Sequence, residues 1–581
     1  MIATGKTYEA DIAIIGGGIA ALTAALSASS RGASCVMLDK GHVRRSGSGA
    51  TGNDHFACYI PEVHGPSMQA VFDAFMDAEL YLGQDEDIVA DFFRHSQEIV
   101  RNWESMGINM RPTGKYVFQG HALPGETRVY LKYDGCDQKA CLLRHVDRKM
   151  VTILNHSPVI EILREGDRVS GVLAVDTSRE SPSFTLVRAK TVILATGATH
   201  RLYHSGPTPA YMFNTAHCPN DAGGPALALR AGAALVNMEF PYVHAGPKFF
   251  ERCGKATWIG VFRYPDGRPL GPFATHSDRE YGDVTGDVWN TAFDDVMRDA
   301  SGPAYMDCSD ASAEDLAYMR WAMKSEGLTG MMEYMDEAGI DPARHAVEFA
   351  RYEPFLMGRG VEIDRHGRTC VPGLYCAGDS VGNFGAGIGP AAYMGDVCGR
   401  EAAEESRKAV FCGEPALNPA ARERMELFSS FMERKNGATW QEANFCLQQI
   451  MDDYAPAGPS GRRSANLLNA GLQYVRQLRE RTLAELGATC SHTLMRSGEV
   501  LDLIDCGEAL LRAALERKES RNNHCRTDFP FTNPLLRSRV LRVRLKSGSG
   551  KRGENEFVLD WRDHHSLPVR RVWDESIEQE G

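Results

Sequence analysis

The spacing of hydrophobic residues changes along the chain, and the changes predict its elements. Near the start, Ile12–Ile15 is an unbroken apolar run, as expected of a parallel strand buried on both faces. It belongs to "ADIAIIGGGIAALTAALSASSRGASCVMLDK" (10–40), which reads as a complete strand–turn–helix–strand unit. A second buried strand ends "RAKTVILATGATHRLY" (188–203) in Ala195-Thr196-Gly197. A third, in "VPGLYCAGDSVGNFGAGIGPAAYMG" (371–395), ends in Gly378-Asp379 before a glycine-rich loop and a helix start. Segment 253–310 is rich in Gly, Pro, Asp and aromatics and has no sustained helical period. From about 420 the period becomes helical, with apolar residues three and four apart in 441–454 and 465–486, joined by the loop "GPSGRR" (458–463). Beyond 531 the alternation is strand-like, and "RSRVLRVRLKSGSGKR" (537–552) suits an edge strand or hairpin.

The first unit carries chemistry. Gly16, Gly18 and Ala21 form G-x-G-x-x-A: the first two positions permit a tight turn and close approach of a pyrophosphate to a helix N-terminus. The third needs only a small residue for helix–strand packing. Asp39 closes the second strand, where an acid binds the ribose hydroxyls of an adenosine. The unit predicts a dinucleotide site without separating FAD from NAD. Farther on, "NMEFPYVHAGPKFF" (237–250) sets one histidine, His244, in an apolar run. Alone, that residue reads either as a hydrogen-bonded core histidine or as one facing a reacting molecule.

Composition narrows the class. The 581 residues are 43% hydrophobic and 24% charged, ordinary for a soluble protein of several domains. A net charge of −12 argues against a nucleic-acid binder. No basic-then-apolar leader opens the sequence, and no apolar run approaches the ~20 residues of a spanning helix. The fifteen cysteines include no C-x-x-C pair, which predicts a cytoplasmic chain with reduced thiols and no iron–sulfur or zinc centre of its own.

Taken together, the three strand ends resemble the FAD-binding domain of two-dinucleotide-fold flavoproteins. Four further segments narrow the resemblance: "RRSGSGATGN" (44–53), "FNTAHCPNDAGGPALALRAGAALVNMEF" (213–240), "RYEPFLMGRGVEID" (351–364) and "ALERKESRNNHCRTDFP" (514–530). They resemble the succinate dehydrogenase and fumarate reductase flavoprotein family, with Glu353-Pro354 nearest to the adenylylsulfate reductase alpha subunit. The resemblance implies an α/β FAD-binding domain, Rossmann-like and two-dinucleotide-binding, with an inserted α+β capping domain and a C-terminal helical domain. The implied boundaries are 1–240 and 351–405 for the FAD domain, 241–350 for the cap, 406–530 for the helical domain and 531–581 for a tail.

It also implies a function: FAD-dependent oxidation or reduction of a small organic substrate by hydride transfer at flavin N5, with electrons exchanged with a separate, ferredoxin-like iron–sulfur subunit. The implied FAD-binding residues are Gly16, Gly18, Ile19, Ala20, Asp39, Lys40, Ser46, Gly47, Val159, Ala195, Thr196, Gly197, Asp221, Gly378, Asp379 and Ala391. Where membrane-bound relatives attach FAD through a histidine after Arg-Ser, this chain has Gly47 after Arg45-Ser46, so the FAD is expected to be non-covalent. His244 falls at the position of the family's substrate-facing histidine, and Glu353 is a candidate proton carrier or hinge residue.

The family's substrate-binding cations do not carry over. Gly286 or Trp289 stands where the capping-domain arginine would be, and "NFGAGIGPAAYMG" (383–395) lacks a basic residue. Fumarate, succinate and adenylylsulfate are therefore expected to be poor ligands. Candidate replacements are Arg252, Lys255 and Arg263, interleaved with aromatics in 248–273, and Arg279. The alternatives are a flavin-containing electron-transfer subunit without its own substrate and a self-sufficient flavin oxidase. A hydroxylating monooxygenase fits less well, because the Glu519-Ser520-Arg521 segment is not expected there. An adjacent pair, His564-His565, reads as solvated surface rather than a metal site.

Overall fold

The computed structural model describes residues 2–77, 83–120, 126–204, 223–243, 245–248, 258–280, 285, 289, 291–434, 436–458, 461–546 and 556–565. The apolar run Ile12–Ile15 is the buried end of strand β1 (Ala3–Ile15). It pairs in parallel with β2 (Cys35–Leu38) on one side and β3 (Ser183–Leu194) on the other. Between β1 and β2 lies helix α1 (Ile19–Ser30), whose small residues pack closely; Ala21, Leu22, Ala24 and Ala25 are fully buried. The sheet has seven strands. Val151–Leu154 continues it beyond β2, while Arg168–Asp176 and Val159–Glu165 add antiparallel strands beyond β3. A late strand, β4 (Leu374–Cys376), returns to pair in parallel with β3. The chain then enters helix α2 (Ile388–Lys408), which packs on α1: a Cβ on Gly395 would meet the Ala20 carbonyl at 2.4 Å.

A second, antiparallel sheet runs in the order Ala245–Pro247, Val347–Arg351, Ala304–Asp307, Val261–Arg263. It has its own core, with Trp258, Phe262, Phe293, Met306, Met323 and Phe349 at its centre. The helical periods of the C-terminal half form Trp440–Tyr454, Ala465–Glu485 and α3 (Ser491–Glu516). The first starts at a capping box between Thr439 and Glu442. Helix α3 is anchored by buried ion pairs: Arg230 reaches Asp502 (2.8 Å) and Asp505 (3.0 Å), and Arg479 reaches Asp505 (2.7 Å).

The strand-like tail forms an antiparallel hairpin, Arg539–Leu545 with Phe557–Asp563. It joins Leu235–Val236 and Gly360–Val361 in a four-stranded sheet, so late residues are built into earlier segments. Arg562 clamps this join, with Nη2 2.6 Å from Asp85. The His564-His565 pair also serves it: the His564 ring bonds the Gln84 carbonyl at 3.1 Å, and the His565 N–H donates to Asp85 at 3.0 Å. Every cysteine among the described residues is a free thiol. No helix among those residues is long and apolar enough to cross a membrane.

Candidate functional site

The ends of β1, β2, β3 and β4 converge on one edge of the sheet. Gly16 has φ +112, and a Cβ there would lie 2.2 Å from the Ala195 carbonyl oxygen, so only glycine lets the two turns touch. A Cβ on Gly17 would sit 1.9 Å from Asp39 Oδ2, which places the acid directly over the turn. Gly47 approaches the Cα of Gly18, and Gly378 lies against Ala20 and Ala391. The structure thus brings together Gly16, Gly18, Ile19, Ala20, Asp39, Ser46, Gly47, Ala195, Gly378, Asp379 and Ala391. Thr196 and Gly197 continue directly from Ala195. Val159 is two residues beyond Ser157, whose N–H donates to the Asp39 carbonyl at 2.8 Å. Lys40 turns away, its Nζ held 2.7 Å from Glu499 of α3. Asp221 lies outside the described residues.

Two helices begin at this junction on bare glycine. The N-cap of α1 is Gly18 and that of α2 is Gly387; neither helix receives a side-chain cap. A Cβ on either glycine would meet no protein atom within 4 Å. The first N–H groups of a helix need acceptors, and the helix dipole makes that end favourable for negative charge. The α1 start can therefore take a diphosphate, and the α2 start a ring carbonyl or developing anion. The Asp39 carboxylate is pre-set beside them by the Ser46 hydroxyl and by the Gly41 N–H at 2.8 Å. Buried Lys139 in turn donates to the Ser46 carbonyl and, at 3.1 Å, to its hydroxyl. Nothing in the sequence near Lys139 marks it, because its partner is 93 positions away.

A family model described as "FAD binding domain" matches residues 11–392, which include this whole junction. The chain belongs to that family. A second model, "Fumarate reductase flavoprotein C-term", matches residues 446–547. Among curated relatives, a subunit of the fumarate reductase (CoM/CoB) of Methanothermobacter marburgensis is 24% identical over 564 residues, covering 92% of this chain and 97% of that one. L-aspartate oxidase of Caulobacter vibrioides is 26% identical over 569 residues, covering 91% and 95%. The adenylylsulfate reductase structure from Archaeoglobus fulgidus shares the fold, with a TM-score of 0.79 at 22% identity, covering 98% of this chain and 97% of that one. The chain is an FAD-dependent oxidoreductase of the fumarate reductase/succinate dehydrogenase flavoprotein type. The bare glycines, the backbone approach at Gly16 and the pre-set Asp39 fit an extended dinucleotide such as FAD.

The second sheet and the segment that returns to the first meet at two separate pairings. Tyr242 bridges Phe355 through both backbone hydrogen bonds (2.7 and 3.0 Å), and Ala245 pairs with Arg351. Glu353 lies between these pairings, fully buried, with Oε1 3.1 Å from His200 Nδ1 and 3.2 Å from the Arg201 N–H. Burial pushes its carboxyl above the usual range, and His200 and the Arg201 N–H only partly offset this. His244, Arg252 and Lys255 lie outside the described residues.

Other expected cations are engaged elsewhere. Arg263 is committed to Asp307 at 2.7 Å and to the Gly267 carbonyl, and half-buried Arg279 pairs with Glu314 and Asp315, all within the cap. The alternation of a strand sets this direction: Phe262 points into the core of that sheet and Arg263 away from it. Trp289, one of the two residues expected at the family's arginine position, donates its indole N–H to Asp295 at 2.8 Å; Gly286, the other, lies outside the described residues.

A buried cation that the sequence reading missed is Lys132, whose Nζ lies 2.9 Å from Asp54. Asp54 follows the loop after β2 and also contacts His55 Nδ1 at 2.6 Å. It faces Glu326, just beyond the capping helix Ala313–Ser325. The chains touch closely here: a Cβ on Gly327 would lie 2.1 Å from the Thr51 carbonyl. Burial, then the Asp54 charge, raise the Glu326 carboxyl well above its ordinary value, while Lys132 and His55 hold Asp54 low. A proton on Glu326 would therefore be held against the Asp54 carboxylate. This cluster offers three metal-donor side chains within 4.8 Å of one another, yet Lys132 already supplies its positive charge. A group whose folded pKa is raised loses its stabilising contribution as pH climbs through that raised value. Thermal stability should accordingly fall on the alkaline side of the normal carboxylate range, and Glu326→Gln should flatten this part of the profile. Equal pH profiles for the two proteins in thermal melts would refute the shared proton.

Proposed function

We propose that this flavoprotein oxidises or reduces a small organic substrate in the seam between the FAD domain and the cap, and exchanges electrons with a separate iron–sulfur subunit. The observation that carries this reading is the seam itself. A second sheet with its own core pairs Ala245 with Arg351, Tyr242 bridges Phe355, and between these pairings lies a buried acid, Glu353, beside His200. An electron-transfer subunit without a substrate would have no use for a second sheet joined at a buried acid.

Bound FAD supplies a hydride acceptor or donor at N5. The N–H groups at the start of α1 would hold its diphosphate, with Asp39 on the adenosine ribose and Asp379 on the ribityl chain. Asp379 is steadied by the Gly387 N–H at 2.9 Å. His244 is assigned to orient the substrate or move a proton at its reacting atom, and Glu353 to hold a proton beside it. Since Gly47 follows Arg45-Ser46, the FAD is non-covalent. Acid precipitation should release all the yellow colour; flavin remaining in the pellet would contradict this.

The partner follows from two facts. The sequence has no C-x-x-C cluster, and relatives are named as subunits, among them the fumarate reductase flavoprotein subunit of Escherichia coli. Likeness to L-aspartate oxidases favours the second reading, a self-sufficient oxidase. Native purification with iron analysis separates the two: co-purifying iron supports the partner. An iron-free protein that turns over its substrate with no added carrier supports the oxidase. With no arginine at Gly286 or Trp289 and no basic residue in 383–395, fumarate, succinate and adenylylsulfate should not perturb the flavin spectrum at micromolar concentration. Saturable perturbation by any of them would overturn that specificity argument.

A further inference from the structure

Three FAD-domain segments close around one imidazole. His200 follows the Ala195-Thr196-Gly197 turn, and its neighbour Thr199 exchanges backbone hydrogen bonds with Leu356 (2.8 and 3.0 Å). Its ring stacks on Phe355 at a centroid distance of 4.6 Å. The Gly358 N–H then donates to the Asp379 carbonyl at 3.1 Å, tying segment 353–358 to the β4 end where α2 starts. His200 and Glu353 are both fully buried and lie 3.1 Å apart. Glu353 Oε2 has no hydrogen-bond partner among the described residues.

Among the described residues, few charges are seen to face the pair. Arg201 is the adjacent cation, but its guanidinium is spent on Asn444 (2.7 and 3.0 Å) and on Glu499, behind which stand Arg496 and Lys40. Asp379 is the carboxylate on the cofactor side; burial pushes its carboxyl above the usual range, and the Gly387 N–H and His200 only partly offset this. The described surroundings thus hold a His–carboxyl pair that carries one proton when electrically neutral and has room for a second charge state.

We propose that His200 and Glu353 form a proton store for the flavin site, taking up one proton from solvent whenever an electron pair is loaded there. The proposal rests on the FAD placement above and adds a role for residues that need not touch the substrate. In the loading step, bound FAD would accept a hydride from the substrate, which is oxidised, and so gain two electrons and one proton. One negative charge is then left in a buried site. His200 answers it by forming a second N–H bond with a solvent proton, giving an imidazolium held against Glu353. The overall uptake is two electrons and two protons. The reverse step returns the proton to solvent as the electrons leave. His200 and Glu353 are positioning residues in this scheme, because they act through charge on the cofactor.

The test is the pH dependence of the FAD midpoint potential of the purified holoprotein, titrated anaerobically with dithionite and a mediator dye, so that no substrate is required. The wild type should take up about two protons per electron pair around neutral pH, and His200→Gln about one. Equal proton uptake in the two proteins, or uptake of one in the wild type, would overturn the proposal. If His200→Gln does not retain FAD, His200→Asn carries the test, since either change removes the imidazole that gains the proton. A structural role alone would change FAD content or melting temperature and leave the proton count at two. A wild type that shows the two-proton slope yet turns over no organic substrate would refute the enzyme reading and leave the proton store standing.

Discussion

Replacing His244 with alanine should slow turnover by about 10²–10⁴-fold, the usual cost of losing a group that transfers or orients a proton. FAD content and melting temperature should stay at wild-type values. The expectation comes from position: the flanking described residues Tyr242 and Ala245 are laddered to Phe355 and Arg351, in the same stretch that carries Glu353. Steady-state kinetics and thermal melts on the same preparations decide it. Parallel loss of stability and activity would instead mark His244 as a core residue bonded to backbone.

The largest effect on stability is expected at Lys132. Its ammonium is one of three groups on the fully buried Asp54 carboxylate, and it is the permanent charge among them. Lys132→Ala should cost about 3–5 kcal/mol, the range seen when one partner of a buried ion pair is removed and the other stays charged. A carboxylate left buried is the source of that cost, so the double variant Lys132→Met with Asp54→Asn should regain most of it. Chemical denaturation of the single and double variants measures both quantities. Additive losses in the double variant would show that packing, not the stranded charge, sets the cost.

The parts legible in the sequence are those whose signal is local. The turn after Ile15 announces itself because strand, glycines, helix and Asp39 lie within one short stretch. The long C-terminal helices are legible because their apolar period persists for several turns. The cap resisted reading because its strands are only three to five residues long, too short for a period of two to emerge. Basic residues interleaved with aromatics there looked like a binding surface, yet Arg263 proved to face its own Asp307. The hidden chemistry is all long-range. Lys132 and Asp54 are 78 positions apart, and His200 and Glu353 are 153. Neither pairing leaves a trace in local spacing, and only the folded sheets bring the partners together. His200 was passed over for this reason, although it stands three residues beyond the recognised Ala195-Thr196-Gly197 turn.

The central claim is that FAD is held where α1 starts on bare Gly18, and Gly18→Ala tests it most directly. In the protein alone the new methyl meets no protein atom within 4 Å, and φ is an ordinary −76°, so the melting temperature of the FAD-free protein should not change. With a diphosphate seated against the helix start, the same methyl intrudes, and FAD affinity should fall by about tenfold to a hundredfold. FAD retained per protein chain after gel filtration, compared between wild type and variant, gives the answer. Marked FAD loss at unchanged apoprotein stability is the result predicted; full retention of FAD by the variant would contradict the site.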